Sequence, residues 1–335
     1  MFKKDSPYLI AEIGGNHEGD FGYAKELTYL AIDAGVDSIK YQIYTGDTLV
    51  SPIQDQDRNK HFKKFELSID QYCDLADICK QHNIDFSASV WNAESIAKIN
   101  EHMAFYKIGS GDLTNYPLIK TICKLKKPII ISTGLSELDE VLETVEFISH
   151  QDSFYTDSNN LAILQCTSMY PIPNEDANLE VINTFKNNFS YLIGYSDHTE
   201  GTSALITAVA MGAEVLEFHF TNDKSGKTFR DHKVSLTAND VKLLKSEISK
   251  IIKLRGSGKK RPLKVEIDSG HHLSFRRSIY ASENLNSGDI LDEKNMLTLR
   301  PLHGIDARDF YKVIGKKLKT SKTKFESIAW EDLED

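Results

Sequence analysis

The sequence predicts an α/β fold in which a (β/α)8 TIM barrel precedes a small, mixed, β-rich domain. Three observations predict it: eight short β-rich runs, helical segments between them, and the loss of this alternation from about Arg255 onward. Alternating strands and helices are typical of a parallel sheet, and a closed barrel is the commonest arrangement of eight such units. We therefore predict a barrel domain over residues 1–256, a linker over 257–274 and a second domain over 275–335.

The predicted barrel strands are short runs rich in apolar and β-branched residues. They cover residues 8–14, 37–43, 85–90, 105–109, 128–133, 161–167, 191–197 and 214–220. The segments between them carry apolar residues at helical spacing, and Gly follows two of them in AIDAGV and AVAMGAEV. The clearest predicted helices cover residues 23–36, 69–83, 138–150 and 238–254.

The segment after the last long helix differs in composition and lacks the strand–helix alternation. RGSGKKRPLKVEIDSGHH clusters Gly, Pro and charge, which is typical of a linker. Short β-like pieces follow at 276–283 and 296–301, separated by the turn NSGD, with a small helix predicted over 306–315. Because so small a domain buries little surface, we expect docking on the barrel or on a partner chain to help it fold.

Composition narrows the class of protein. The chain has 335 residues and a net charge of −9, which argues against nucleic acid or an anionic membrane as a partner. No apolar run approaches the ~20 residues of a membrane span, and the N-terminal apolar stretch is short for a signal peptide. The four cysteines show no metal-type or CxxC spacing. We expect a cytoplasmic protein with reduced thiols.

Alternation along a barrel strand separates side chains that face the interior from those that face the helices. In the seventh strand, bulky residues mark the outward face: Tyr191, Ile193 and Tyr195. Ser196 and His198 have the opposite parity and are predicted to face inward, with Asp197 outward. The same rule predicts further inward polar side chains: Glu12, Lys40, Gln42, Gln165, Thr167, Glu217 and His219.

So many polar side chains at the C-terminal ends of strands predict an active site there, because an inert barrel would leave them buried without partners. His198 and His219 end adjacent strands and could converge on one ion, such as Mn²⁺, Fe²⁺, Zn²⁺ or Mg²⁺. Glu12 ends the first strand, beside the eighth in a closed barrel, and is a candidate base or a partner of a metal ligand.

Two lysines leave two chemistries open. Lys40 and Lys107, with hydroxyls at Ser110, Ser132 and Thr133, suit an anionic phosphate or carboxylate. A lysine at the end of a barrel strand equally suits a Schiff base, as in an aldolase. The residues alone favour neither.

Longer motifs carry a family resemblance from about Leu9 to the end. AEIGGNHEGD, IKYQIYTGDTLV, YKIGSGDLTNYPLI, KPIIISTGLS, CTSMYPIP, GYSDHTEG and GAEVLEFHFTNDKSG occur in this order, and the chain resembles the sialic acid synthase family. The tail, RRSIYASENLNSGDILDEKNMLTLRP, resembles that family's antifreeze-like SAF domain.

The resemblance implies an enzyme that condenses phosphoenolpyruvate with an N-acetylated hexose such as N-acetylmannosamine and releases phosphate by C–O cleavage. It implies Mn²⁺ or Mg²⁺ at His198 and His219, proton transfer by Glu12, and catalytic roles for Lys40 and Lys107. It assigns phosphoenolpyruvate binding to Lys40, Ser89, Lys107, Ser110, Ser132, Ser168 and Ser196. It assigns sugar binding to Gln42, Tyr170, Asp231 and Arg300. Arg300 would act in the partner's site, in a homodimer with the SAF domain swapped over the partner barrel.

The chain departs from the family pattern mainly around the sugar. SASVW replaces an S-T-P-F strand end and brings in Trp91, TFRD places Arg230 beside Asp231, and PLHG brings in His303. These changes leave the acceptor open, with a precursor of legionaminic, pseudaminic or a related acid as the alternative. An aldolase and a non-catalytic binding protein are more distant alternatives.

Five other polar positions have simpler interpretations. Asn16 and His17 fit either a turn or the site. His232, His271 and His272 are predicted to lie at the surface.

Overall fold

The computed structural model describes residues 6–227 and 229–334, which fall into two compact units, Met1–Gly256 and Ser257–Asp335. In the first unit, eight parallel strands pair in sequence order and the eighth pairs with the first, closing a barrel. The strands are β1 Tyr8–Glu12, β2 Ser38–Ile43, β3 Asp85–Val90, β4 Phe105–Ile108, β5 Ile129–Ser132, β6 Leu161–Cys166, β7 Leu192–Asp197 and β8 Val215–His219. The predicted TIM barrel is confirmed, and the strands lie where the sequence predicts them.

Ten α-helices lie between and after these strands in the described part of the first unit. They are α1 Phe21–Ala34, α2 Gly46–Leu49, α3 Gln56–Lys63, α4 Ile69–Gln81, α5 Ala93–Ile99, α6 Tyr116–Cys123, α7 Leu138–Gln151, α8 Val181–Asn188, α9 Ser203–Ala210 and α10 Ala238–Arg255. Local signals fix several ends: Ser68 and Gln71 form a capping box at the start of α4, and Gly35 ends α1 with a φ of 76°. The sequence patterns do not predict α2 and α3.

Two apolar layers surround the strands. The outer layer packs the helices on the barrel, and the inner layer fills the N-terminal half of the barrel interior. The inner layer consists of Tyr8, Ile10, Phe105, Ile130, Ala162, Leu164, Leu192 and Val215. Above it, the same strands end in polar side chains, so the apolar layer forms the floor of the site.

The predicted orientation of one strand is wrong. Leu164 belongs to the inner layer, which places Cys166 inside and turns Gln165 outward. The Gln165 amide donates to the Ala177 carbonyl at 3.2 Å, and the Thr167 hydroxyl donates to the Asp176 carbonyl. Because β6 is buried on both faces, bulky residues mark neither face as the outer one.

The second unit has its own apolar core and a two-stranded antiparallel sheet, β9 Ser278–Ala281 with β10 Met296–Leu299. Its helices are short: α11 Lys264–Asp268, α12 His271–Ser274 and α13 Phe310–Val313. The first two lie in the segment predicted as a linker. Across the described residues of both units, no helix combines the length and apolarity that a membrane crossing requires.

Candidate active site

Two buried ion pairs lie at the C-terminal end of the barrel. Glu12 Oε2 is 2.6 Å from Lys40 Nζ, and Lys107 Nζ is 3.1 Å from Glu217 Oε1. The barrel registers Glu12 opposite Lys40 on one side and His219 on the other, so β1, β2 and β8 deliver their polar ends to one place. Buried charges are stable only when paired, and here two cations and two carboxylates balance.

Further hydrogen bonds fix the carboxylates. Gln42 donates to Glu12 Oε1 at 2.7 Å, and the Ser196 hydroxyl donates to Glu217 Oε1 at 3.0 Å. Burial alone would lower the pKa of Lys40, but the Glu12 and Glu217 carboxylates outweigh it and raise that pKa. Burial opposes ionisation of Glu217, yet Lys107 and Lys40 outweigh it and lower its pKa. Lys40 is therefore cationic and Glu217 anionic at neutral pH.

Glu217 has no role in the sequence-based assignment, although its inward parity is predicted correctly. Its position two residues before His219, on the same face of β8, is the sequence feature that indicates a place in the site. The structure makes it the common partner of Lys107 and Ser196.

A group of hydroxyls surrounds Gly134, just after β5. The backbone N–H of Gly134 donates to Ser110 Oγ at 3.0 Å. A Cβ at Gly134 would lie 2.5 Å from Ser168 Oγ and 2.9 Å from Ser110 Oγ, so only glycine fits between them. Ser132 Oγ is buried and has no hydrogen-bond partner among the described residues. We call Ser110, Ser132, Gly134 and Ser168 the hydroxyl cradle.

Ser89 is also buried at this end of the barrel, on β3, where it registers with Gln42 of β2. The structure therefore places all seven residues assigned to phosphoenolpyruvate at or just beyond the C-terminal ends of the strands, together with Glu217.

The predicted metal ligands lie side by side. The ring centroids of His198 and His219 are 5.3 Å apart, and Tyr170 packs on His198 at 4.0 Å. His198 Nδ1 is 3.0 Å from the Thr167 carbonyl, so this nitrogen carries the proton and Nε2 keeps its lone pair. Burial lowers the pKa of His198 to about 3 and keeps the ring neutral, and the neighbouring His219 acts in the same direction.

This arrangement suits a divalent metal that keeps open positions. No group of three His, Cys, Asp or Glu residues could hold an ion in ranges 6–227 and 229–334. Two imidazoles nevertheless leave room for water or substrate oxygens, as a Lewis-acid site requires. His219 Nδ1 is buried without a hydrogen-bond partner in the described chain, 3.7 Å from Asp231 Oδ2. The two histidines therefore fit a metal.

Two of the residues assigned to the sugar border the histidine pair, and a third lies beside Glu12. Gln42 binds Glu12, Tyr170 packs on His198, and Asp231 lies next to His219. Arg300 belongs to the second unit, where its guanidinium lies 5.5 Å from the Phe275 ring centroid. Its action in a partner's site stays a prediction.

Asn16, His17 and Asp197 lie close to these strand ends. Asn16 donates to the Phe220 carbonyl and to Ser235 Oγ, both at 2.8 Å, and so ties the loop after β1 to the segment after β8. Burial lowers the pKa of His17 to about 4. The predicted outward orientation of Asp197 is confirmed, because it accepts from Tyr195 and Thr199.

The prediction that His232 lies at the surface is wrong. The side chain is buried, and its Nδ1 is 2.7 Å from Thr221 Oγ1. The short 3-10 turn Arg230–Lys233 folds it beneath the loop after β8, a contact that local sequence does not reveal.

Comparison with known proteins agrees with this architecture. A profile of the NeuB family matches residues 27–260, and a profile of the SAF domain matches residues 276–334. The chain is 35% identical to N,N'-diacetyllegionaminic acid synthase of Campylobacter jejuni, over 92% of this chain and 94% of that protein. It is 31% identical to human N-acetylneuraminate-9-phosphate synthase, over 93% of this chain and 88% of that protein.

A solved structure shares the fold. N-acetylneuraminic acid synthetase from Leptospira borgpetersenii, in complex with citrate, superposes with a TM-score of 0.74 at 28% identity, over 80% of this chain and 92% of that chain. This chain therefore belongs to the NeuB family, whose members include sialic, legionaminic and pseudaminic acid synthases.

Proposed function

We propose that this synthase condenses phosphoenolpyruvate with an N-acetylated amino sugar and releases phosphate. One observation carries the proposal: two ion-paired lysines, a hydroxyl cradle and two adjacent histidines share one end of the barrel. The lysines and hydroxyls suit the phosphate and carboxylate of phosphoenolpyruvate. The Leptospira relative was solved with citrate, itself a polycarboxylate.

The bond changes follow from the two substrates. C3 of phosphoenolpyruvate bonds to the aldehyde carbon of the open-chain sugar, and the aldehyde oxygen takes a proton. Water adds to C2 and loses a proton, which leaves a hydroxyl group on C2. The bond from C2 to the phosphate oxygen then breaks as this hydroxyl becomes the C2 ketone, and its proton leaves with the phosphate. A divalent metal, Mn²⁺ or Mg²⁺, held by His198 and His219, would polarise the aldehyde as a Lewis acid.

The protein's own groups hold the anion and move the proton. Lys40 and Lys107 would bind the phosphate and the carboxylate. Ser196, which donates to the Lys107 partner Glu217, and Ser89, which registers with Gln42, would add hydroxyl groups. Glu12 is the carboxylate placed for proton transfer in the water step, since Gln42 and Lys40 fix both of its oxygens. Gln42, Tyr170 and Asp231 would contact the sugar.

A panel of N-acetylated hexoses tests the proposal. Phosphoenolpyruvate and Mn²⁺ are supplied with each sugar, including the precursors of N-acetylneuraminic, legionaminic and pseudaminic acids, and released phosphate is measured. We expect phosphate release with one class of sugar. EDTA should abolish this release, and added Mn²⁺ or Mg²⁺ should restore it. Equal phosphate release without any sugar would contradict the proposal.

The same site could instead form a Schiff base, and the charges argue against it. A Schiff-base lysine must be neutral to attack a carbonyl, whereas Glu12 and Glu217 raise the pKa of Lys40. Borohydride with pyruvate should therefore leave the chain unmodified. A covalent adduct on Lys40 or Lys107, found by mass spectrometry, would favour the aldolase.

We also propose a homodimer in which Arg300 reaches the partner's barrel, as the family resemblance implies. Mixed dimers test this directly. If Arg300 acts in trans, refolding Glu12→Gln together with Arg300→Ala restores activity, because one site then combines an intact barrel with an intact tail. If Arg300 acts within its own subunit, every mixed site carries a defect and activity stays absent.

A further inference from the structure

Arg230 makes two contacts that the proposed chemistry does not use. Its guanidinium carbon lies 3.9 Å from the centroid of the Tyr170 ring, and its Nε donates to Asp231 Oδ1 at 2.8 Å. The side chain lies at the rim of the site and is 62% exposed. A planar guanidinium can stack on a ring and donate in its own plane at the same time, which a lysine ammonium cannot.

Each contact leads to a different histidine. Tyr170 packs on His198 with ring centroids 4.0 Å apart. Asp231 Oδ2 lies 3.7 Å from His219 Nδ1, and the two imidazoles are 5.3 Å apart. Arg230 therefore closes a ring of contacts that runs through both histidines.

We infer that Arg230 is a positioning residue that holds His198 and His219 in place for a divalent cation, through Tyr170 and Asp231 respectively. This rests on the proposed function in that the two histidines hold the metal. Groups that orient metal ligands commonly change metal affinity by about 10- to 100-fold. Because Arg230 acts through intermediates and is exposed, we expect a smaller effect, about 5- to 10-fold.

Electrostatic repulsion alone predicts the opposite change in metal affinity when Arg230 is removed. A cation close to a metal site repels the metal, so removing it would strengthen metal binding. If Arg230 positions the histidines, removing it weakens binding instead. The direction of the change therefore separates the two explanations.

Mn²⁺ binding to the full-length chain tests the inference without an activity assay. Free Mn²⁺ is titrated by electron paramagnetic resonance for the wild type, Arg230→Ala and Arg230→Lys. The matched control is Lys233→Ala, because Lys233 lies in the same turn, is equally exposed and pairs with Glu200 at 3.3 Å. Melting temperatures identify any variant that fails to fold.

We expect the dissociation constant for Mn²⁺ to rise about 5- to 10-fold in Arg230→Ala and by less in Arg230→Lys, with Lys233→Ala equal to the wild type or slightly tighter. If the wild type binds Mn²⁺ and Arg230→Ala binds it equally or more tightly, the role of Arg230 is wrong. That result would leave the metal site of the proposed function intact. Absence of Mn²⁺ and Mg²⁺ binding in the wild type would overturn the metal site of the proposed function, and this inference with it.

Discussion

The two halves of the barrel interior differ sharply although the same strands build both. Inward positions two residues apart along a strand, about 6.6 Å, change from apolar to polar. The pairs are Ile10 and Glu12, Phe105 and Lys107, Ile130 and Ser132, and Val215 and Glu217. The lower layer excludes water, so charges in the upper layer must pair with one another. Stability is concentrated in one layer and chemistry in the other.

The largest expected effect is the loss of catalytic rate when a carboxylate of the polar layer is removed. Glu12→Gln keeps the shape of the side chain but removes the carboxylate that would move a proton. We expect kcat to fall about 10²- to 10⁴-fold, with little change in the KM for phosphoenolpyruvate, measured by phosphate release. The control is Glu143→Gln, on the exposed face of α7. Unchanged phosphate release in Glu12→Gln would show that the mechanism is wrong.

The Lys107–Glu217 pair tests whether the upper layer depends on matched charges. Glu217→Leu leaves Lys107 buried and unpaired, so the free energy of unfolding should fall by about 3 kcal/mol, measured in urea. Lys107→Met/Glu217→Leu should recover most of that stability, because it extends the apolar layer upward. Neither protein should release phosphate. A double variant no more stable than the single one would contradict the account.

A smaller effect is expected at the hydroxyl cradle. Gly134→Ala places a Cβ 2.5 Å from Ser168 Oγ, so the KM for phosphoenolpyruvate should rise about tenfold, roughly 1.4 kcal/mol. Gly111→Ala is the matched control, because a Cβ there meets nothing within 4 Å. If both variants bind phosphoenolpyruvate like the wild type, the cradle does not hold the substrate.

The smallest effect belongs to the apolar layer. Ile130→Val removes one buried methylene group beneath Ser132 and should lower the free energy of unfolding by about 1 kcal/mol. The kcat and KM of the folded enzyme should stay within about twofold of the wild type. A large change in kcat would mean that the two layers are not separable.

The sequence predicts the barrel well because local signals agree with its packing. Strand parity works in β7 and β8, where the aromatic residues Tyr195 and Phe218 mark the outward face, and it fails in β6, which carries no aromatic residue on either face. The capping box of Ser68 and Gln71 identifies α4, whereas the polar segment QDRNKHFK of α3 offers no apolar period.

Features that depend on contacts distant in sequence are harder to predict. Burial of His232 depends on Thr221, and the role of Glu217 depends on Lys107 from the opposite part of the barrel. The ring through Arg230 depends on a loop after β6 meeting another after β8. None of these contacts leaves a periodic signal in the sequence.

The most direct test of the central claim follows the bridging oxygen of phosphoenolpyruvate. The substrate is labelled with ¹⁸O between C2 and phosphorus and turned over with the accepted N-acetylated sugar and Mn²⁺. Cleavage of the C–O bond predicts that the label leaves in inorganic phosphate, as read by ³¹P NMR. Label retained in the sugar acid would show P–O cleavage and contradict the proposed reaction.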